Sequence, residues 1–378
     1  MINLHPDNKL KNRMALQCGI IGITNVGKTT IFNCISNTKG ETTAFAFSAT
    51  KSNIGVVQVP DSRLYELEKH QVTDRIMHTT VEIVDIPGLA KGSNKGEGVG
   101  NKFLGDIRNT DALIHVLRCF DNELLLHIEG SVDPVRDLET VDLELQVKDL
   151  ESVEKKIQRL ERAAKTGDKD ARHGIDVLRR FKDHFEEFNN ARTLEIKDED
   201  KKHIEDLFLL TIKPVMYVCN VDERSAVSGN HYVEKVKEFL KGKDAEILII
   251  AGEIEAEIAE LENKEDRLAF LKDAGLVEPG VDKLVRAAYK MLNLQTFFTV
   301  GPKEIRAWTI KKGMTAPLAS GVIHSDLERG FIRAEVMRYN DFITLGSEHA
   351  CKEAGKFYIE GKNYVVQDGD ILHIRFNI

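Results

Sequence analysis

Disulfide scaffolding and structural zinc drop out first. The 378 residues contain only five cysteines (Cys18, Cys34, Cys119, Cys219 and Cys351), and no two stand in C-x-x-C spacing. An odd, scattered set of this kind reads as free thiols of a reducing, cytoplasmic protein. No apolar run approaches the length that spans a bilayer. The polar opening, residues 1–13, lacks the apolar stretch of a secretion signal. Basic residues are in deficit: Lys and Arg total 53 against 61 Asp and Glu, a formal net charge of -8. A broad nucleic-acid-binding face is therefore not expected, and any such contact must come from a local patch. What remains is ordinary for a globular protein, with 30% charged and 42% hydrophobic residues and enough length for two or three domains. Residues 1–14 read as an N-terminal extension, with Met14 as an alternative start directly before the first strand.

Residues 18–23 (Cys-Gly-Ile-Ile-Gly-Ile) are a short apolar run that passes straight into a glycine turn. A helix is expected from Lys28, carrying Ile31, Phe32 and Ile35 inward. Further strand-like runs are Ile54–Val59, Val81–Ile86, Ala112–Cys119, Pro214–Val221 and Glu246–Ala251. Helical or loop material separates most of them, which predicts an α/β domain with a mainly parallel sheet covered on both faces. Between about 140 and 190, Leu143, Gln146, Leu150, Val153, Ile157, Leu160 and Ala164 form a seam at spacings of three and four. Thr166–Asp170 reads as a turn, and Ile175, Leu178, Phe181, Phe185 and Phe188 give a second stripe. The pattern predicts an inserted antiparallel helical hairpin, either a protruding arm or a core-packed pair. After Leu294, strands at Thr296–Val300, Ile305–Ile310 and Phe331–Val336, a short helix at Pro317–His324 and a closing hairpin over 364–376 predict an α+β module of roughly 85 residues.

Gly22-Ile-Thr-Asn-Val-Gly-Lys-Thr29 fits G-x-x-x-x-G-K-[ST]. Glycines let successive backbone N–H groups turn toward phosphate oxygens. Asn25, Val26, Gly27, Lys28, Thr29 and Thr30 are the candidate phosphate-binding residues. Lys28 supplies a point charge, the Thr29 hydroxyl is a hard ligand suited to Mg2+, and the following helix turns its positive end to the anion. A second element, Val81-Glu-Ile-Val-Asp-Ile-Pro-Gly88, is a strand ending in Asp85. Asp-x-x-Gly about 55–60 residues beyond a phosphate loop suits switch II of a GTPase-type domain. Asp85 then holds the metal through water, and the Gly88 N–H senses the γ-phosphate.

GTPases read guanine with Asn-Lys-x-Asp, the Asp accepting two donors from the base. Here the four positions are Asn220-Val221-Asp222-Glu223. Adenine offers no paired donors on that edge, and a longer Glu223 crowds guanine, so ATP or a relaxed choice is expected. Ala251-Gly252-Glu253 is a candidate back wall of the base pocket.

Together these elements resemble the YchF/Obg-like ATPase family. The resemblance runs from Leu16 to the end. It takes in 25–29, Asp-Ile-Pro-Gly-Leu (85–89), Lys-Gly-Glu-Gly-Val-Gly-Asn-Lys-Phe-Leu (95–104), 220–223, Asn293-Leu-Gln-Thr, Lys303-Glu-Ile-Arg-Ala-Trp308, Gly330-Phe-Ile-Arg-Ala-Glu-Val and Val366-Gln-Asp-Gly-Asp370. It implies an α/β P-loop NTPase domain over 15–292, with an inserted antiparallel coiled-coil arm at 140–205, and a C-terminal β-grasp (TGS) domain over 293–377. It further implies preference for ATP over GTP and ribosome binding, so hydrolysis of ATP to ADP is the expected activity. It admits RNA contact through the arm and the TGS domain, a monomeric cytoplasmic protein and a K+ ion held by Asn25, otherwise a turn-stabilising Asn. Two positions depart from the family. Its switch I reads Phe-Cys-Thr, whereas this chain has Phe47-Ser48-Ala49 and then Thr50. Either Thr50 takes over the metal after a one-residue shift or switch I does not coordinate it. Pro87 stands where relatives often carry Ala, which stiffens switch II.

Common signalling GTPases follow Asp-x-x-Gly with a Gln that orients water; here the residue is Leu89. An apolar side chain cannot hold water, so slow unassisted turnover is expected. His127 in Leu-Leu-Leu-His-Ile is a candidate replacement, with a structural loop histidine as the competing reading. Lys28, Gly88 and His127 are the candidate catalytic residues. Gly92–Gly100 reads as a switch or a plain surface loop. Lys311, Lys312, Arg329 and Arg333 are RNA-contact candidates or simply solvated. Three functions compete: an ATPase switch on the translation machinery, a nucleotide-gated binding protein with incidental hydrolysis, and a conventional GTPase.

Overall fold

The computed structural model describes residues 16–36, 52–88 and 99–377. The extension at 1–14, Ala49, Thr50, Leu89 and most of the glycine-rich run lie outside them. In chain order the elements begin β1 (Gln17–Ile21), α1 (Lys28–Ser36), β2 (Asn53–Gln58), α2 (Arg63–Glu68), β3 (Ile76–Met77), β4 (Thr80–Asp85), α3 (Val99–Asn109) and β5 (Ala112–Arg118). Then come α4 (Pro134–Lys165), α5 (Lys169–Glu186), β6 (Val215–Asn220), α6 (His231–Phe239), β7 (Glu246–Ile250), α7 (Gly252–Glu260), α8 (Lys264–Asp273) and α9 (Gly280–Met291). The chain ends with β8 (Leu294–Val300), β9 (Ile305–Lys311), α10 (Ala316–Ile323), α11 (Ser325–Arg329), β10 (Phe331–Arg338), α12 (Tyr339–Leu345), α13 (Glu348–Glu353), β11 (Phe357–Glu360) and β12 (Asp370–Phe376). Two compact units result, one from residues up to Val56 with Glu82–Leu284, the other from Val57–Val81 with Val285–Ile378.

The first unit is built on a sheet in the order β2-β4-β1-β5-β6-β7. β1 runs parallel to β4 and β5, and β6 runs parallel to β5 and β7. Continuous burial of β5 and near-continuous burial of β1 and β6 fits strands covered on both faces. The C-terminal ends of β1, β4, β5 and β6 therefore converge on one edge, the usual site of ligands in such sheets.

The inserted hairpin starts at Asp133, whose carboxylate accepts from the N–H groups of Val135 and Arg136, with Pro134 in the first turn. A second cap, Asp168, opens α5. The expected seam is correct for Val153 but not for Leu143, which is exposed. The first turns of α4 instead bury Leu138 and Val141, Leu138 within the core that covers β5 and β6. Nor do the two helices stand bare. Val153, Val177, Leu178, Phe181 and Phe185 share a core with Ala191, Ile204 and Leu209 from the returning chain. That return is fastened by Asp149, which accepts from Leu210 N (2.7 Å), Thr211 N (2.8 Å) and Thr211 Oγ1 (2.7 Å).

The second unit is a mixed sheet ordered β11-β10-β12-β8-β9-β3. β8 and β9 form an antiparallel hairpin, and β12 returns parallel to β8. Two expectations fail here. The closing hairpin over 364–376 does not form: β12 pairs with β10 and β8, while Val365 makes an isolated bridge to Thr315. The unit also recruits Val57–Val81, because Leu64 and Leu67 complete a core with Phe298, Met337, Phe342 and Ile371. Arg63, lying over the Phe298 ring, pairs with Asp61 and Asp368 at 2.7 Å each.

Glu255, on α7, is almost fully buried and accepts from Gly280 N (2.6 Å) and Val281 N (3.4 Å) at the start of α9. Burial pushes its carboxyl up to about 7 against the pull of those two N–H groups. The unfolded chain ionises this group near pH 4.5. Between there and about 7 the folded state holds the extra proton, so stability falls as pH rises through that window. Glu255→Gln should gain stability relative to the parent from pH 5 to pH 8, by up to about 3 kcal/mol. Thermal melts at both pH values check this, and a difference independent of pH would contradict it.

Candidate functional site

The turn between β1 and α1 carries the phosphate-loop pattern in the context it requires, a buried strand followed by a helix opening at Lys28. Gly27 sits at φ 95°, and a Cβ there would lie 2.2 Å from the Asn220 amide nitrogen. Its conformation and the close approach both demand glycine. Asn25 is also left-handed at φ 61°, a geometry Asn tolerates better than most residues. Val26 is buried, whereas the side chains of Thr29 and Thr30 reach the surface.

Lys28 is buried and donates to the Ile23 carbonyl at 2.6 Å. Desolvation pushes its ammonium down to about 8, and Asp85 works against that shift. Asp85 closes β4 beside it. The Thr29 hydroxyl donates to Asp85 Oδ2 at 3.0 Å, while Asp85 Oδ1 is buried without a hydrogen-bond partner. Burial raises the Asp85 carboxyl despite the Thr29 hydrogen bond and the Lys28 charge. A buried carboxylate oxygen lacking a donor beside a hydroxyl is a donor set that suits a hard cation. Gly88 lies close enough that a Cβ would stand 2.8 Å from Lys28 Nζ, so the chain leaving β4 starts against the lysine.

Asn220 ties the phosphate loop to the other side of the site. At the end of β6, its side-chain amide donates to the Val26 carbonyl (2.9 Å) and its oxygen accepts from Gly252 N (3.0 Å). Gly252 opens α7 after Ala251, so the expected back wall is physically joined to the phosphate loop through Asn220. The next three residues divide differently from expectation. Val221 points into the core with Leu117, Cys219 and Ala251, so its side chain does not line a base pocket. Asp222 is spent as a cap, accepting from Ser225 N at 2.9 Å. Glu223 is exposed at the start of the same short turn.

His127 is held by its own surroundings. Its Nδ1 accepts from Glu129 N at 3.1 Å, which leaves the proton on Nε2 to donate to Asp137 at 2.9 Å. Its neighbour Leu126 does reach the phosphate loop: the Leu126 carbonyl accepts from Asn25 Nδ2 at 3.0 Å. Sequence reading missed Asp137, and it missed Arg118, the fully buried guanidinium that ends β5. A charged residue near the end of the largely apolar run Ala112–Cys119 was the available signal. In the second unit, Arg329 pairs with Asp326, and Arg333 with Glu335 at 3.2 Å, so neither RNA-contact candidate is a bare charge.

With this geometry in view, the relatives decide the family. A protein named Ribosome-binding ATPase YchF from Bacillus subtilis is 47% identical over 367 residues, covering 97% of this chain and 100% of that protein. This chain belongs to the YchF family. The YchF protein of Haemophilus ducreyi, also named Ribosome-binding ATPase YchF, is 46% identical over the same shares. The family model for the YchF GTPase C-terminal domain, described as a protein of unknown function, matches residues 294–377. One described as 50S ribosome-binding GTPase matches residues 17–169. The solved YchF GTPase of Schizosaccharomyces pombe is 33% identical with a TM-score of 0.85, covering 95% of this chain and 97% of that one. A GTP binding protein from Pyrococcus horikoshii OT3, at 17% identity and TM-score 0.58, shares the fold alone. The YchF fold thus includes the GTPase-type domain and the C-terminal domain seen here.

Asn220→Ala removes both hydrogen bonds that join the phosphate loop to Gly252. It should cost about 1–3 kcal/mol of stability and weaken nucleotide binding by about tenfold, the equivalent of about 1.4 kcal/mol. Chemical denaturation and titration with a fluorescent nucleotide check the two effects. Unchanged nucleotide affinity would contradict the bridging role.

Proposed function

We propose that this protein is a ribosome-associated ATPase, binding ATP with Mg2+ and hydrolysing it slowly to ADP. The observation that carries the reading is the pair Thr29 and Asp85 beside Lys28, with the Asp85 Oδ1 buried and lacking a donor. In this reading Thr29 and Asp85 would hold Mg2+, and the chemistry it would supply there is neutralisation of charge developing on the phosphates. The loop from Asn25 to Thr30 binds the phosphates, with Lys28 supplying the positive charge. Gly88 senses the γ-phosphate through its N–H. Thr50, outside the described residues, is a candidate further metal ligand. Asn25 commits its amide nitrogen to Leu126, which leaves its oxygen as the atom to face a K+ ion.

The choice of ATP rests on the base side. Asp222 is occupied as a cap and Val221 is packed in the core, so the paired reading of guanine has no carboxylate of the usual reach. Glu223 is the residue left to meet the base edge. The names of the relatives, ribosome-binding ATPases, support both the nucleotide and the partner. A C-terminal module with strand order β11-β10-β12-β8-β9 supports a β-grasp, TGS-type domain. The helical hairpin supports a coiled-coil arm as a second contact. Both are candidate routes to ribosomal RNA in a monomeric, cytoplasmic protein; no helix among the described residues is long and apolar enough to cross a membrane.

For His127 the role consistent with its present contacts is conditional on movement. Loop closure that releases Nε2 from Asp137 delivers the ring to the attacking water, in place of the Gln that Leu89 replaces. His127→Ala should cut turnover by at least about tenfold with ATP affinity unchanged. Phosphate-release assays with and without ribosomes, in potassium buffer, test the whole reading. Ribosome-stimulated ATP turnover that collapses in the variant is expected. No hydrolysis in either condition would overturn the enzyme reading, and full activity of the variant would overturn the role of His127.

A further inference from the structure

Arg118 is the largest fully buried side chain of the described residues. It ends β5, one position before Cys119. A buried guanidinium is costly unless its donors are satisfied, and here they are satisfied in an unusual way. Nε donates to the Phe120 carbonyl (3.1 Å), Nη1 to the Leu125 carbonyl (2.8 Å) and Nη2 to the Asn122 carbonyl (3.1 Å). The Phe120 ring lies 4.9 Å from the guanidinium carbon, within cation–π range. Desolvation lowers the group from its ordinary value, with Asp121 the largest opposing charge. The planar fork of arginine thus gathers three carbonyls of one loop, which a point-charged lysine cannot do.

That loop leads directly to the nucleotide site. One residue beyond Leu125, the Leu126 carbonyl accepts the Asn25 amide; one residue further, His127 is fixed by Asp137. The fastening holds the loop with Leu124 and Leu126 almost fully exposed. Apolar burial is therefore not what holds those two residues in place. We propose that Arg118 is a positioning residue for ATP turnover: by clamping 120–125 it sets the Leu126 carbonyl, and through it the left-handed Asn25 of the phosphate loop. The inference rests on the ATPase reading above and on Asn25 as part of its site.

A double-mutant cycle tests it, with steady-state ATP turnover, fluorescent-ATP binding and thermal melts measured on the full chain. The proteins are the parent, Arg118→Lys, Asn25→Ala and the double variant; Arg118→Met serves as a second, uncharged replacement. All assays run at a temperature where each variant is folded. Arg118→Lys should lower kcat by at least about tenfold with KM for ATP changed less than about twofold, as expected when geometry rather than affinity is lost. The double variant should be no worse than Asn25→Ala, because both changes break one chain of contacts. Unchanged kcat in Arg118→Lys, or multiplicative losses in the double variant, would overturn the proposal. So would an Asn25→Ala protein with parental turnover. Turnover by the parent protein separates failure of the ATPase reading from failure of this one.

Discussion

One side-chain amide holds the candidate site together. Asn220 stands at the end of β6 and bonds the phosphate loop on one side and the start of α7 on the other. One partner is a main-chain carbonyl of the β1–α1 turn and the other is the first N–H of α7, so together they need a side chain that both donates and accepts. Close packing enforces the arrangement: Gly27 has no room for a Cβ against that amide. Phosphate-binding and base-side elements come from opposite ends of the domain sequence, and Asn220 makes their spacing a fixed quantity. The hydrogen-bonded pair Thr29 and Asp85 joins the same loop to the end of β4 from the other direction.

A second constraint is electrostatic. The site buries Lys28 and Asp85 and, at the next strand end, Arg118. Lys28 loses solvation and is drawn to a carbonyl of its own loop, which prepares a donor for an anion. Asp85 keeps one oxygen without a donor, which prepares an acceptor for a cation. Arg118 spends its charge on carbonyls of the adjoining loop. Each buried polar group raises the cost of misfolding the site, so correct loop geometry and correct charge placement are coupled. Glu255 buries a further ionisable group at the start of α9.

Much of this was legible in the sequence, for physical reasons that can be named. Parallel strands buried on both faces leave continuous apolar runs, so β1, β5 and β6 stood out. The glycine turn between β1 and α1 was readable because a strand that passes through Gly27 into a helix at Lys28 tolerates few alternatives. The final hairpin was misread because strand partners are chosen over long range: β12 has the pattern of a hairpin strand but pairs with β10 and β8. The recruitment of Leu64 and Leu67 into the second unit is a tertiary event with no local signal. Val221 was assigned to the base site from its place in a motif, whereas its hydrophobicity already pointed to the core. His127 was found by its position, but its orientation depends on Asp137, ten residues away, and on a main-chain N–H that no sequence pattern displays. Arg118 was passed over because a single charge at a strand end is usually solvent-exposed.

In the ATPase reading proposed above, Glu223 is the residue of this stretch left to meet the base, and its longer reach disfavours guanine. Competitive equilibrium titration with Mg-ATP and Mg-GTP, on the parent protein and on Glu223→Asp, tests it most directly. Tighter binding of ATP by the parent, with the ratio moving toward GTP in Glu223→Asp, is the result expected from an exposed Glu223 beside an Asp222 that is spent as a cap. Tighter binding of GTP by the parent protein would contradict it.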